Sequence, residues 1–581
     1  MNQNHPGKNM PIQLKTALKI LISTVLLFIY YYIVLPPLNP FSVGFWFFLM
    51  IALIVYLAPF GALNIFKVKK VPFGNTSHLE FKSRKKDKKQ KIMLAVIAAP
   101  LVVIVIGSIF SSTIFNAKRY ASVIDVKESD FASDMPETDN VTNIALMDTP
   151  SAVIIGNRAL GSLSDVVSQF VSSETYTQIN YKGKPKKVST IEYDGFFKWM
   201  GNHKNGVPGY VMVDPVANTA SYNKLSKPLK YVDSAYFSED LQRKLRFSYP
   251  TKIFGTTAFE IDEEGNPFFI VSCMAPKVGL FGALDVKEVI IFNPCDGTSE
   301  LLKVGDVPRW VDIVYDGYLA EDKYDWHGML SGGFFNSIIG NKGCKKATDD
   351  FGYLMYDDDV WYYTGVTSVT NDASNIGFIV SNARTGEYKY YPVIGAEEYS
   401  AMGAAEGEVQ EKGYKASFPA LINVSGKATY IMVLKDENSL VKLYALVNVE
   451  QYGLVATGST QAEAMTAYRR LLSQNGLIEE DTTNKVNVTV KKIEKCVIDG
   501  NSWWYFLCSD NNYYRKSIAD DQSILFIEEN CKAIGYGRHH QRKIVVQKLH
   551  CLYFLIEADD TQLSRKHHRN QNHRKQEVLP F

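Results

Sequence analysis

Two apolar blocks separated by a strongly basic segment constrain this chain more than any other feature of its sequence. Residues 20–66 and 92–117 contain no Asp, Glu, Lys or Arg, whereas residues 67–91 contain ten Lys or Arg. A helix needs roughly 20 apolar residues to cross about 30 Å of hydrocarbon, so the first block is long enough for two crossings. Prolines at positions 36, 37 and 40 interrupt that block and stop a helix. The sequence therefore predicts three membrane-spanning helices, near residues 16–35, 41–66 and 92–115.

The basic segment also predicts how the helices are oriented. Lys and Arg in short membrane loops are retained on the cytoplasmic side. The 67–91 loop carries ten of them against Glu80 and Asp87, while the Pro-rich turn at residues 36–40 carries none. We therefore expect a multi-pass protein of the cell membrane, with the N-terminus and the basic loop in the cytoplasm. Everything after Lys118 is expected outside the cell. A cleaved signal peptide is the alternative for the first helix, but no A-x-A-like site precedes the second apolar run.

Charge divides the rest of the chain into zones. Residues 1–91 carry a net +11 and residues 538–581 a net +5, and the whole chain is +2, which leaves −14 for residues 92–537. An acidic outer domain is poorly suited to phosphate polymers, so we expect no nucleic-acid partner. The basic loop, in contrast, favours contact with anionic membrane lipid.

The region beyond the third helix is organised as repeats. Residues 118–149 are polar and acidic, which is typical of a linker. Residues 150–480 then repeat a unit of strand, tight turn, strand and usually a helix. Copies begin near Gly209, Val289 and Gly377, and Gly or Asn at their turns supplies the positive φ that hairpins require. This pattern predicts an α+β fold in which helices lie on antiparallel sheets.

The repeated unit resembles the PepSY or cystatin-like modules of bacterial cell-envelope proteins, which share its D/N-P-x-x-G turn and its membrane anchor. Over roughly residues 145–530 the chain is similar to an uncharacterised family of membrane-anchored proteins from clostridia-like Gram-positive bacteria. The segments that carry this likeness are Asp312-Ile-Val-Tyr-Asp, Thr364-Gly-Val-Thr-Ser-Val, Ser374-Asn-Ile-Gly-Phe-Ile and Val447-Asn-Val-Glu-Gln-Tyr. The family implies no known reaction. PepSY-type modules are associated with inhibiting or holding peptidases, or with cell-wall enzymes, so the resemblance implies a binding role.

The C-terminal part of the chain, from residue 484 onward, has a different pattern. Residues 484–530 contain three short strands typical of a small β domain, which we interpret as OB-like. Trp503 and Trp504 are candidates for a base-stacking platform, or they alternate between the core and the surface of a small barrel. Residues 538–581 are rich in His and Arg and predict a disordered tail. That tail either binds a metal or an anionic polymer, or it results from a reading-frame shift, which is the interpretation we prefer.

Seven cysteines occur without any C-x-x-C spacing. Two pairings stay open, because Cys273 and Cys295 lie on neighbouring predicted strands, as do Cys496 and Cys508. Buried free thiols are the alternative that we prefer. Spacing alone does not establish the geometry that a disulfide requires.

Catalytic signals are weak in the predicted outer domain. Residues 118–537 contain two histidines, His203 and His327, and no G-x-S-x-G, H-E-x-x-H or Walker motif. Asp325 beside His327 is the candidate general acid–base pair, although a lone histidine more often anchors a loop. Trp326 and Trp361 are candidate binding residues, together with the two tryptophans of the C-terminal segment.

These observations predict a non-enzymatic, membrane-anchored binding or scaffold protein of the bacterial cell envelope. We expect membrane lipid and an unidentified envelope protein or peptide as its partners, and neither a cofactor nor a metal. Two alternatives stay open. One is an envelope hydrolase that uses Asp325 and His327, and the other is an accessory subunit of a membrane complex, whose helices lack the charges of an ion pathway.

Overall fold

A computed structural model describes most of the chain, which folds as two compact units, Met1–Leu472 and Ser473–Phe581. The residues that the structure describes are 11–60, 62, 66–73, 76–83, 88–138, 144–161, 168–369, 371–478, 486–498, 501–509, 513–517, 528–529, 532–538, 541–548 and 552–558.

The first unit contains the helices of the described chain. They are α1 (Ile12–Val34), α2 (Val43–Leu57), α3 (Lys88–Ser111), α4 (Thr113–Ala121), α5 (Phe131–Asp134), α6 (Thr149–Gly161), α7 (Phe196–Asn202), α8 (Leu241–Ser248), α9 (Gly317–Leu330), α10 (Glu398–Glu408) and α11 (Gln461–Gln474), the last of which runs two residues into the second unit.

Three of these helices are long and apolar enough to cross a membrane. They are Ile12–Val34, Val43–Phe60, in which a short 3₁₀ turn extends α2, and Lys88–Ser111. The prediction of three apolar helices at the N-terminus is thus confirmed, and it indicates association with a membrane.

The predicted ends of the second and third helices are wrong. The second was expected to reach residue 66, but a strand begins at Phe66. Pro59 explains the early end, because it has no N–H to donate to the carbonyl of Val55, and Ser23 Oγ of α1 donates to that oxygen instead at 2.9 Å. The third was expected to reach residue 115, but Ser112 is extended (φ −69°, ψ 155°) and separates α3 from α4.

The strands of the first unit run from the basic loop to the start of the last helix. They are β1 (Phe66–Phe73), β2 (Thr76–Ser83), β3 (Val126–Glu128), β4 (Phe170–Ser172), β5 (Thr177–Tyr181), β6 (Lys184–Tyr193), β7 (Val207–Asp214), β8 (Thr219–Leu229), β9 (Ile253–Ile261), β10 (Pro267–Val278), β11 (Gly282–Phe292), β12 (Ser299–Lys303), β13 (Lys345–Ala347), β14 (Gly352–Tyr356), β15 (Asp359–Ser368), β16 (Asn371–Asn382), β17 (Tyr388–Tyr391), β18 (Lys415–Ala416), β19 (Ala420–Val424), β20 (Lys427–Lys435), β21 (Val441–Asn448) and β22 (Val455–Gly458).

These strands form four sheets that follow one another along the chain, besides a β1–β2 hairpin in the basic loop; their pairings are antiparallel except that β3 joins the third sheet in parallel. The sheets contain β4–β8, β9–β12, β13–β17 and β18–β22, and sequential strands are mostly neighbours. One buried apolar cluster lies between each successive pair of sheets. In β15, Val360 and Tyr362 face one cluster while Trp361 and Tyr363 face the next, as the alternation of a strand buried on both faces predicts. The α+β architecture of repeated antiparallel sheets is therefore as predicted.

The segment predicted as a linker is structured where the structure describes it. β3 pairs in parallel with β17, and Phe131 of α5 is buried in the cluster between the third and fourth sheets. Asn423 Nδ2 donates to the carbonyl oxygen of Met135 at 2.8 Å. The expectation of a polar linker at 118–149 overlooked the apolar side chains that fix residues 118–138 on the domain. Residues 139–143 of that segment lie outside the described part.

The second unit is built from β23 (Val486–Ile498), β24 (Asn501–Cys508), β25 (Tyr513–Ser517), β26 (Lys532–Arg538), β27 (Gln541–Lys548) and β28 (Leu552–Ala558). All its pairings are antiparallel, in the order β23, β24, β25, β28, β27, β26, with β26 beside β23. The last two strands occupy part of the segment predicted as a disordered tail, so the structure departs from that prediction over these residues. Short apolar runs at 544–546 and 552–556 supplied a strand signal that the abundance of His and Arg obscured. Residues 559–581 lie outside the described residues, and the OB-like interpretation stays a prediction.

Candidate functional site

Asp325 and His327 both lie on α9, but the helix directs them to different neighbours. Residues two apart on an α-helix do not share a face. Asp325 Oδ1 accepts a hydrogen bond from the backbone N–H of Ala347 at 2.8 Å, whereas His327 Nδ1 lies 2.9 Å from the carbonyl oxygen of Ala121. One side chain therefore holds β13 and the other holds the end of α4. The structure does not bring them together as an acid–base pair.

Burial also changes the acidity of Asp325. Desolvation raises the pKa of its carboxyl to about 6, against the opposing effect of the hydrogen bond from Ala347, and the charge of Asp322 adds to the rise. A carboxyl that titrates near neutral pH is suited to proton transfer. The hydrogen bond that Asp325 makes here is with the backbone N–H of Ala347, however, so its carboxyl holds β13 in place.

The candidate binding residues Trp326 and Trp361 are used to hold the fold. The Trp326 ring packs edge-on against Tyr120 of α4 at 5.3 Å between centroids, in a small cluster with Ala117. Trp361 is buried, and its indole N–H donates to the carbonyl oxygen of Tyr356 at 3.1 Å. Both tryptophans therefore join elements of the domain.

Trp503 and Trp504 lie on opposite faces of β24, because side chains alternate along a strand. Trp504 is buried, with Lys495 Nζ 3.8 Å from its ring centroid, whereas Trp503 is half-buried. They do not form one stacking platform, so the alternative of alternation between core and surface describes them better.

A small cavity, partly open to solvent, lies between α9 and the third sheet. The residues that line it include Glu321, Thr364, Ser381 and Tyr388, and its surface is mostly apolar. Burial raises the pKa of Glu321 to about 7, and the neighbouring charge of Asp325 contributes to this rise. Glu321 is the one acidic residue among the described residues that line the cavity. Within the described residues, no three His, Cys, Asp or Glu side chains are grouped to hold a metal ion.

Neither open disulfide pairing is formed. In the strand register Cys273 lies opposite Glu288, and Cys496 lies opposite Trp503. Burial raises the pKa of the Cys273 thiol to about 12 and that of Cys295 to about 11, so neither favours the reactive thiolate.

The most extensive arrangement that sequence reasoning missed is the attachment of the domain to the apolar helices. The Pro-rich turn forms the first attachment. The backbone N–H of Leu38 donates to the carbonyl oxygen of Pro250 at 2.7 Å, and Asn39 Nδ2 donates to that of Thr251 at 2.8 Å. Arg243 of α8 strengthens this attachment, since its Nε donates to the carbonyl oxygen of Tyr32 at 3.1 Å and its guanidinium lies 4.3 Å from the Tyr32 ring centroid.

The second attachment joins the end of α3 to the β10–β11 hairpin. Ser111 Oγ accepts hydrogen bonds from the backbone N–H groups of Leu280 at 2.8 Å and Phe281 at 3.0 Å. Gly107 permits the close approach, because a Cβ built there would lie only 2.6 Å from the Phe281 ring. The sequence did contain a signal for this attachment. Leu280 and Phe281 are apolar residues at the tip of a hairpin, where turns are usually polar.

Comparison with known proteins identifies no relative. No family model matches the chain, and no curated protein matches it either. Among solved structures, the GH43 BlXynB protein from Bacillus licheniformis aligns over 68% of this chain and 77% of its own, at 8% identity and a TM-score of 0.16. A mutant of the same protein aligns over 66% and 76%, at 9% identity and a TM-score of 0.17. Likenesses at this level do not define a shared fold.

Proposed function

We propose that this is a membrane-anchored protein that holds a rigid α+β domain against the outer face of a cell membrane, where the domain binds an envelope protein or peptide. The observation that carries the proposal is the double attachment of the domain to the ends of the apolar helices. A flexible linker would let a domain move freely, whereas hydrogen bonds at Leu38, Asn39 and Ser111 hold this one in a fixed orientation. Such an arrangement suits presentation of a binding surface at a set height above the bilayer.

Charge and contact together support the orientation. The Pro-rich turn contacts the domain directly, so the turn and the domain lie on the same side of the three helices. The basic loop connects the opposite ends of α2 and α3, and its ten Lys or Arg favour the cytoplasm. The domain is then extracytoplasmic. The resemblance to PepSY-like modules of Gram-positive envelope proteins supports the binding role and stays a prediction, as do the hydrolase and the accessory subunit.

The proposal is tested by site-specific capture in whole cells that produce the full-length protein. A benzophenone amino acid replaces Tyr318, which is exposed at the start of α9 and packs on Phe351 beside the cavity, 5.1 Å between ring centroids. Tyr452, exposed in the turn before β22, is the matched control. We expect irradiation to join a specific envelope protein or peptide at position 318 and not at position 452. Recovery of lipid alone, or of the same abundant proteins at both positions, would refute the binding role.

A further inference from the structure

The loop at residues 331–341, which follows α9, exposes large apolar side chains to an unusual degree. Phe335 is 73% exposed, Ile338 is 59% exposed and Ile339 is 79% exposed. Three such residues within five positions form a contiguous apolar surface rather than the scattered exposure that soluble proteins tolerate.

This loop is ordered and contains a short π-helical turn, Asn336–Gly340, which hydrogen bonds within the loop hold together. Asn336 Nδ2 donates to the carbonyl oxygen of Lys342 at 3.0 Å, and Asn336 Oδ1 accepts from the backbone N–H of Lys342 at 3.2 Å. The backbone N–H of Asn341 donates to the carbonyl oxygen of Asn336 at 2.6 Å. A single asparagine thus closes the loop and turns its apolar side chains outward. Hydrogen bonds within the segment lower the cost of placing its backbone at the membrane interface, where apolar groups enter only the boundary of the acyl region.

The loop is continuous with the end of an apolar helix. Leu330 and Phe334 pack with Ala117 of α4, which follows α3 directly. On the same helices Phe110, Ile114 and Phe115 are each more than half exposed. At this level Leu280 and Phe281 of the β10–β11 hairpin contact the last two turns of α3. The exposed loop therefore borders the level at which the third apolar helix leaves the hydrocarbon.

The charges beside the loop fit a headgroup layer. Lys118 and Arg119 of α4 are exposed, and so is Lys342 at the end of the loop. Basic side chains next to apolar ones are typical of elements that lie in the membrane interface, where apolar groups enter the acyl region and cations meet lipid phosphates.

We propose that the 331–341 loop is a second membrane contact, which inserts Phe335, Ile338 and Ile339 into the interfacial part of the outer leaflet beside α3. The occupant of this surface is bilayer lipid. The inference rests on the proposed membrane anchoring, and it adds that the domain itself touches the bilayer. With the loop as a third point of support besides the two attachments, the domain cannot tilt about the ends of its helices.

The test uses the full-length protein in vesicles of phosphatidylcholine and phosphatidylglycerol, with a benzophenone amino acid at single positions and lipid adducts measured by mass spectrometry. The test position is Ile339, and Ile338 is a second one in case the first variant does not fold. Val102, exposed on α3, reports insertion of the helix. Tyr318 is the matched control, since it is 71% exposed at the opposite end of α9, about 20 Å away along the helix.

We expect lipid adducts at Ile339 to match those at Val102 and to exceed those at Tyr318 by about tenfold. If Val102 forms lipid adducts but Ile339 forms no more of them than Tyr318 does, the loop inference is overturned and the proposed anchoring still stands. Loss of adducts at Val102 would overturn the proposed anchoring itself. A protein adduct at Ile339, to a second copy or to another chain, would also overturn the inference and assign the surface to a protein contact.

Discussion

The buried carboxyl of Glu398 makes the stability of the domain depend on pH. Glu398 is fully buried at the start of α10. Its Oε1 accepts from the backbone N–H of Gly365 at 2.7 Å and its Oε2 accepts from Thr348 Oγ1 at 3.1 Å. Desolvation nevertheless raises the pKa of this carboxyl from 4.5 to about 7, because two hydrogen bonds do not replace its hydration.

The sign and size of the effect follow from linkage between proton binding and folding. Between pH 4.5 and about 7 the unfolded chain loses this proton while the folded chain keeps it, so the free energy of unfolding falls as the pH rises. The stabilisation is complete below pH 4.5, is lost progressively up to about pH 7, and changes no further above that. A pKa change of this size corresponds to about 3 kcal/mol.

The variant Glu398→Gln removes the ionisation and keeps an oxygen acceptor for Gly365. We expect the variant to gain about 3 kcal/mol over the wild type on going from acid to mildly alkaline pH. The assay is denaturant unfolding of the full-length protein in detergent at both pH values, followed by tryptophan fluorescence. Trp361 lies in the adjoining apolar cluster and reports on this region. Glu408→Gln, an exposed change on the same helix, is the matched control. An equal stability difference between wild type and Glu398→Gln at both pH values would refute the reasoning.

Three further predictions concern the attachments and the cysteines. Ser111→Ala leaves two backbone donors of the hairpin tip without their acceptor and should cost about 1–3 kcal/mol, measured as a lower melting temperature in detergent, whereas Ser108→Ala at an exposed position should not. Arg243→Lys loses both the bond to the α1 carbonyl and the planar contact with the ring, so hydrogen exchange in residues 36–42 should accelerate; unchanged exchange would contradict this role. Cys496 is exposed and Cys508 is buried, so maleimide should modify the first in the native protein and the second only after denaturation, which peptide mapping would show.

The parts of the fold that could be predicted from the sequence are those that depend on interactions between residues close together in the chain. The three apolar helices follow from uninterrupted runs without charge, and the sheets follow from short alternating strands with turns at Gly and Asn. The errors are local too. The second helix ends early because Pro59 removes a donor, and the third breaks at Ser112, whose extended conformation no charge pattern signals.

The candidate site was less predictable, because side chains that are close in sequence need not act together. Asp325 and His327 lie two residues apart in the sequence, which indicated an acid–base pair. Their helix instead directs Asp325 to Ala347 and His327 to Ala121. The raised pKa of Glu398 was equally hidden, since it depends on burial by strands more than 30 residues away in the chain. Both properties arise from tertiary packing, which single-sequence patterns do not encode.

The attachments change what the N-terminal helices do for the protein. A domain on a flexible linker needs its anchor only to stay near the membrane, and any apolar helix would serve. Here a backbone N–H at Leu38, a hydroxyl at Ser111 and the missing side chain of Gly107 each match a particular point on the domain. Replacing the helices with an unrelated apolar anchor would therefore remove donors, acceptors and close contacts that the domain uses. The domain would then lose the partners that fix its orientation. Helices and sheets are better regarded as one folding unit, whose lower part is solvated by lipid and whose upper part is solvated by water.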